Sequence, residues 1–120
     1  MKILIAEDDP VNLLLLKKQL ALEQMELCAA TDGYDAFKKM AAFQPDILIT
    51  DLMMPLASGL ELISLVRTKY SKKLPILVLS AIDDENTVME ALSMGANDFI
   101  IKPADQAALV SKINRLCGQN

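Results

Sequence analysis

Short apolar runs alternate with longer stretches of mixed polarity along the whole chain. Residues 3–6 (Ile-Leu-Ile-Ala), 47–50 (Ile-Leu-Ile-Thr), 76–79 (Ile-Leu-Val-Leu) and 99–101 (Phe-Ile-Ile) are too short for stable helices and read as buried strands. Residues 25–30 alternate well enough for another. Helical signals fill the gaps. Asp9-Pro10 reads as N-cap and first position of a helix to about residue 23, and a Thr31-Asp32-Gly33 turn leads into one over about 34–43, stopped before Pro45. A third helix is predicted from Gly59 to about Lys69, with Leu60, Ile63 and Val66/Arg67 at helical spacing. Asp83-Asp84 can cap a fourth, ending near Met94 with Gly95 just beyond it, and the last spans about 104–116 with Leu109, Ile113 and Leu116 on one face.

Five apolar strands, each followed by a helix, predict an α/β fold with a parallel sheet covered by helices on both faces. A chain of 120 residues makes one domain, burying roughly two-thirds of its surface on folding. Aromatic residues are only 4% of the chain, so the core must be aliphatic. A net charge of −4 without Lys/Arg runs argues against nucleic acid or an anionic membrane as partner, and the longest apolar runs are too short to span a bilayer. Cys28 and Cys117 are isolated, without metal-ligand spacing; as small hydrophobes in a reducing compartment they point to the cytoplasm.

The chemistry collects where strands end. Glu7, Asp8 and Asp9 follow the first strand, Asp51 the third, Ser80 the fourth and Lys102 the fifth. In a parallel sheet all these ends share one edge, the carboxyl edge at which such sheets bind ligands. Should the first and third strands be neighbours, carboxylates would crowd their crevice, and two charges at 4 Å cost about 4 kcal/mol at an effective dielectric of 20. A hard divalent cation relieves that repulsion, and Mg²⁺ suits a few carboxylates plus water and phosphate oxygens. Carboxylate nucleophile, metal, hydroxyl donor (Ser80) and ammonium (Lys102) are the parts that phosphoryl transfer requires.

The segments Ile3-Leu4-Ile5-Ala6-Glu7-Asp8-Asp9-Pro10, Ile49-Thr50-Asp51-Leu52-Met53-Met54-Pro55, Leu79-Ser80-Ala81, Gly95-Ala96-Asn97-Asp98-Phe99 and Ile101-Lys102-Pro103 resemble, in order and spacing, the receiver domain of two-component response regulators. The resemblance covers the whole chain and implies the flavodoxin-like (βα)5 receiver fold, strand order 2-1-3-4-5, with residues 1–120 a single receiver domain and no output domain in the chain. It also implies roles. Asp51 would accept the phosphoryl group. Asp8 would bind Mg²⁺ directly and Glu7 through water, with Asp51 and the Met53 backbone carbonyl as further ligands. Ser80 would donate to a phosphoryl oxygen, Lys102 would pair with Asp51 or its phosphate, and Phe99 would be the aromatic switch that swings inward when the Ser80 hydroxyl moves. The Lys102–Pro103 bond is often cis in this family. The chain would catalyse only its own phosphorylation and dephosphorylation, with a histidine kinase or histidine phosphotransfer protein as donor and a further protein as target. Ser58-Gly59 stands where Asp-Gly is common, and Ala104 replaces a usual bulky residue, which bears on the packing of the last helix.

Other features have plainer readings. Met53-Met54 serves as filler beside the loop, Asp83-Asp84-Glu85 as a helix start favoured by the dipole, and Lys17-Lys18, Lys38-Lys39 and Lys72-Lys73 as solvated surface. Leu13 to Leu16 are more apolar residues than a one-sided helix needs, so either all four are core or Leu14 is an exposed donor contact. Met53 and Ile82 are expected to flank the path of water to a phosphorylated Asp51; both are apolar, which implies slow self-hydrolysis. Two other functions share features of this pattern. A haloacid-dehalogenase-like phosphatase needs a second Asp two positions after the first, where Met53 stands; a flavodoxin-like electron carrier needs a hydroxyl-rich phosphate loop and flavin-stacking aromatics.

Overall fold

A computed structural model describes residues 1–21, 25–81 and 85–118. The elements alternate strictly: β1 (Lys2–Ala6), α1 (Pro10–Ala21), β2 (Glu26–Ala30), α2 (Gly33–Phe43), β3 (Ile47–Asp51), α3 (Gly59–Lys69), β4 (Ile76–Ser80), α4 (Glu85–Met94), β5 (Asp98–Ile101) and α5 (Gln106–Leu116). All five strands are parallel, in the order β2-β1-β3-β4-β5.

The strand periodicity divides the core into two layers. Leu4, Leu48, Ile76 and Val78 face α2, α3 and α4, meeting Ala36, Met40, Leu62, Ile63, Val66, Val88 and Ala91. Ile3, Ile5, Ile47, Ile49, Leu77 and Leu79 face α1 and α5, meeting Leu16, Leu20, Leu109 and Ile113. Both faces of the central strands are therefore buried, which is why their sequences are apolar without alternation. Cys28 packs on the first layer and Cys117 on the second, both half-buried.

Several boundaries move for local reasons. Asp9 caps α1 as expected, its Oδ1 accepting from the Val11 N–H at 3.0 Å; the expected helix end near 23, and the expected capping pair Asp83-Asp84, lie outside the described residues. The α2 helix starts one residue early because Asp32 caps it, accepting from the Asp35 N–H at 2.8 Å. The α5 helix starts at Gln106 rather than 104, because Asp105 is its cap. Ala104 packs half-buried on the second core layer, and its carbonyl accepts from the Gln19 amide at 2.8 Å, tying α1 to the loop before α5 at the position where the resemblance usually has a bulky residue. On α3 the buried face is Leu62, Ile63 and Val66, with Leu60 only half-buried. Gly95 ends α4 at φ 124°, and its carbonyl is gripped by the Arg67 guanidinium at 2.8 and 3.0 Å.

Three surface readings are refined. On α1, Leu16 and Leu20 turn to the sheet, whereas Leu14 is 54% exposed. Met54 fills the loop as expected, but Met53 does not: it is 70% exposed. Lys39 is held rather than solvated, donating to the Ala29 carbonyl at 2.8 Å and to Asp35 at 3.1 Å.

Candidate functional site

The register of the sheet assembles the site. Ala6 pairs with Thr50, Asp51 with Leu79 and Ser80 with Ile101, so Glu7, Asp51, Ser80 and Lys102 emerge side by side at the carboxyl edge. Carboxylate oxygens of Glu7, Asp8 and Asp51 lie within 4.8 Å of one another. Glu7 and Asp51 are buried and Asp8 is exposed, so the cluster opens to solvent on one side.

The loop after β3 fixes Asp51. It turns back so tightly that the Gly59 N–H donates to the Leu52 carbonyl at 2.9 Å, and a Cβ on Gly59 would meet the Asp51 carbonyl oxygen at 2.2 Å. Only glycine fits there. The Thr50 hydroxyl donates to that same carbonyl at 2.8 Å, and the Met53 N–H approaches Asp51 Oδ1 at 3.4 Å.

Lys102 carries the positive charge. Its Nζ stands 2.7 Å from Asp51 Oδ2 and 3.0 Å from Glu7 Oε1. Burial works against its charged form, but these two carboxylates outweigh it and raise its pKa. Glu7 is pushed up to about 7: burial is the largest cause, the Lys102 hydrogen bond opposes it, and the neighbouring Asp51 charge adds to it. Glu7 Oε1 is buried and, beyond this ion pair, makes no aligned hydrogen bond among the described residues.

Ser80 Oγ is likewise buried and without a hydrogen-bond partner among the described residues. A buried hydroxyl without a partner is costly, so it stands ready to accept or donate when a ligand enters. Phe99 is half-buried and borders, with Ser80, Val88 and Met89, a pocket of about 290 Å³. The Lys102–Pro103 peptide is cis. Every site residue expected from the sequence, the Phe99 ring included, lies at or beside this edge; Ile82 falls outside the described residues. The contact that sequence reasoning missed is Glu7 with Lys102, whose one signal was an acid and a base at the exits of strands on the same edge.

Fold and site together define a doubly wound α/β domain with an acid-and-lysine crevice at its carboxyl edge. The family model for the response regulator receiver domain matches residues 3–114, and the chain belongs to that family, whose members serve two-component signalling. It is similar to the response regulator GtcR of Aneurinibacillus migulanus, 37% identical over 92% of this chain and 45% of that protein. It is also similar to the sensor protein EvgS of Escherichia coli (strain K12), 40% identical over 97% of this chain and 10% of that protein. The chain thus spans less than half the length of either curated relative. Among solved structures, the receiver domain of the sensor histidine kinase PA1611 from Pseudomonas aeruginosa PAO1 has a TM-score of 0.90 at 25% identity, covering 98% of each chain, and holds a magnesium ion in its active site cleft. Neither the phosphatase nor the flavodoxin-like reading is favoured by these relatives. Among the described residues, no helix is long and apolar enough to cross a membrane.

Proposed function

We propose that residues 1–120 act as a single phosphoacceptor domain, taking a phosphoryl group from the phosphohistidine of a separate histidine kinase or histidine phosphotransfer protein onto Asp51. A carboxylate oxygen of Asp51 attacks phosphorus, the P–N bond breaks, and the imidazole leaves with its electron pair. The protein supplies position and charge. Lys102, 2.7 Å from Asp51, is placed to neutralise a phosphoryl oxygen, and Ser80, whose hydroxyl is unpartnered among the described residues, donates to another. Acceptance of these contacts draws Ser80 toward the phosphate and opens room for the Phe99 ring, which carries the signal to a protein target.

The residues fit Mg²⁺. Three carboxylates within 4.8 Å, one of them the buried Glu7 that shares Lys102 with Asp51, form a hard-oxygen donor set of the kind this ion takes. Asp8 and Asp51 would hold it directly, Glu7 through water, and the Met53 carbonyl would complete the set. Bound there, Mg²⁺ supplies charge neutralisation for the phosphoryl oxygens.

The domain modifies itself and turns over no separate substrate. Its two half-buried cysteines suit a reducing compartment, and we place it in the cytoplasm. The observation that carries the reading is the buried Asp51 paired with Lys102 beside two more acids. Incubation with acetyl phosphate tests it: one phosphoryl group added to the intact mass with Mg²⁺ and none with a chelator supports it, and no addition under either condition contradicts it.

A further inference from the structure

Asp98, at the start of β5, joins the Phe99 backbone to α5. Its Oδ1 accepts the Phe99 N–H at 2.8 Å, its Oδ2 takes Lys112 Nζ at 3.0 Å, and Arg115 pairs with the same oxygen. Lys112 and Arg115 are three residues apart on α5 and so share a face. Burial disfavours the Asp98 charge, but the Phe99 amide, then Lys112 and Arg115, outweigh it and hold the carboxyl below the usual range.

The braced Lys112 does more than pair with Asp98. Its Nζ lies 5.9 Å from the centroid of the Phe99 ring, within reach of a cation–π interaction. The ring thus has two sets of neighbours: an ammonium from α5, and the pocket of about 290 Å³ bordered by Ser80, Val88 and Met89. Lys112 is not among the described residues that border that pocket, so a ring turning further into it moves off the side where the cation stands.

We propose that Lys112, braced by Asp98, is a positioning residue for the switch: it holds the Phe99 ring beside α5 and biases the domain toward its unphosphorylated arrangement. The inference rests on the reading of Phe99 as the residue that moves inward. A bare surface ion pair would contribute little and would not sense the ring. The two cations on Asp98 make the point testable, because Arg115 still compensates the carboxylate when Lys112 is replaced.

The test uses the chain labelled with 4-fluorophenylalanine. Phe37, Phe43 and Phe99 give three fluorine signals, and Phe99→Leu assigns the third. Phosphorylation by acetyl phosphate in Mg²⁺ should move the Phe99 signal. Lys112→Met, which keeps the apolar stem, should move it part of the way without phosphorylation and raise the phosphorylation rate about two- to fivefold, the range of an exposed cation–π contact. Lys112→Arg should behave like the parent, and in a Phe99→Leu background Lys112→Met should leave the rate where it was. A parent signal that moves on phosphorylation while Lys112→Met changes neither signal nor rate overturns this inference alone. A parent signal that stays put overturns the switch reading with it. A rate effect that persists without the ring also contradicts the proposal, because the charge would then act on the donor directly.

Discussion

Lys102 Nζ reaches past β4 to within 2.7 Å of Asp51 Oδ2, linking the exit of β5 to that of β3. One ammonium is set against three clustered carboxylates, so the crevice keeps an excess of negative charge. The Lys102 ammonium holds the Asp51 carboxylate in place, and a divalent cation would complement the remaining negative charge.

Mg²⁺ should therefore raise the melting temperature by binding the native state preferentially. At tenfold over its dissociation constant the gain is about 1.4 kcal/mol, or roughly 5 °C for a domain of this size. Asp8→Asn should nearly abolish the shift in a thermal melt with and without the ion; an unchanged response removes Asp8 from the ligand set.

Leu14, 54% exposed on α1, should contact the helices of the phosphodonor. Leu14→Glu is expected to slow transfer from a phosphorylated histidine protein while leaving acetyl phosphate labelling intact. Stability should change by no more than about 0.5 kcal/mol, as for a surface site. Equal slowing with both donors would assign the effect to the acceptor site instead.

The phosphorylated form should be long-lived. Met53 stands two residues after Asp51 with its side chain 70% exposed, and it cannot orient an attacking water by hydrogen bonding. Ile82, expected as the second flank, shares that limitation. Met53→Asn combined with Ile82→Glu should speed phosphate loss about tenfold, a barrier change of about 1.4 kcal/mol. The decay is followed in Mg²⁺ after donor removal, and a wild-type decay as fast as the double variant's rules out control by these side chains.

Asp98 sets a pH dependence away from the carboxylate cluster of Glu7, Asp8 and Asp51. Its folded pKa is lowered from 3.8, so the unfolded chain binds more protons in the window just below that value. The stability it contributes is fully present above about 3.8 and lost as the pH falls through the folded pKa. Thermal melts of wild type and Asp98→Asn should differ near neutrality and converge in acid; a gap that is constant with pH would show that the carboxylate's ionisation is not what matters.

The parts of this account legible in the sequence are those governed by short-range pattern. Ile47 to Thr50 and Ile76 to Leu79 announce themselves as strands because both of their faces are buried. The site was legible because parallel strands bring all their exits to one edge, so Glu7, Asp51, Ser80 and Lys102 could be grouped without knowing a distance. What stayed hidden depends on where long side chains turn. Lys102 divides itself between Glu7 and Asp51, Lys112 lies over Phe99, and the Arg67 guanidinium closes on the Gly95 carbonyl. Four consecutive leucines left the periodicity ambiguous, with an exposed Leu14 as one of two readings, and packing decides for it: Leu16 is buried and Leu14 exposed. The last helix, expected from about 104, starts at Gln106 because the Asp105 side chain caps it.

Site-resolved mass analysis decides whether Asp51 is the phosphoacceptor. Wild type and Asp51→Asn are each treated with acetyl phosphate and with a phosphorylated histidine donor in Mg²⁺, then digested and mapped at acidic pH. One acyl phosphate, on Asp51, is expected from either donor, and none on the variant. Undiminished labelling of Asp51→Asn, or a phosphoryl group mapped to another residue of the wild type, would contradict it.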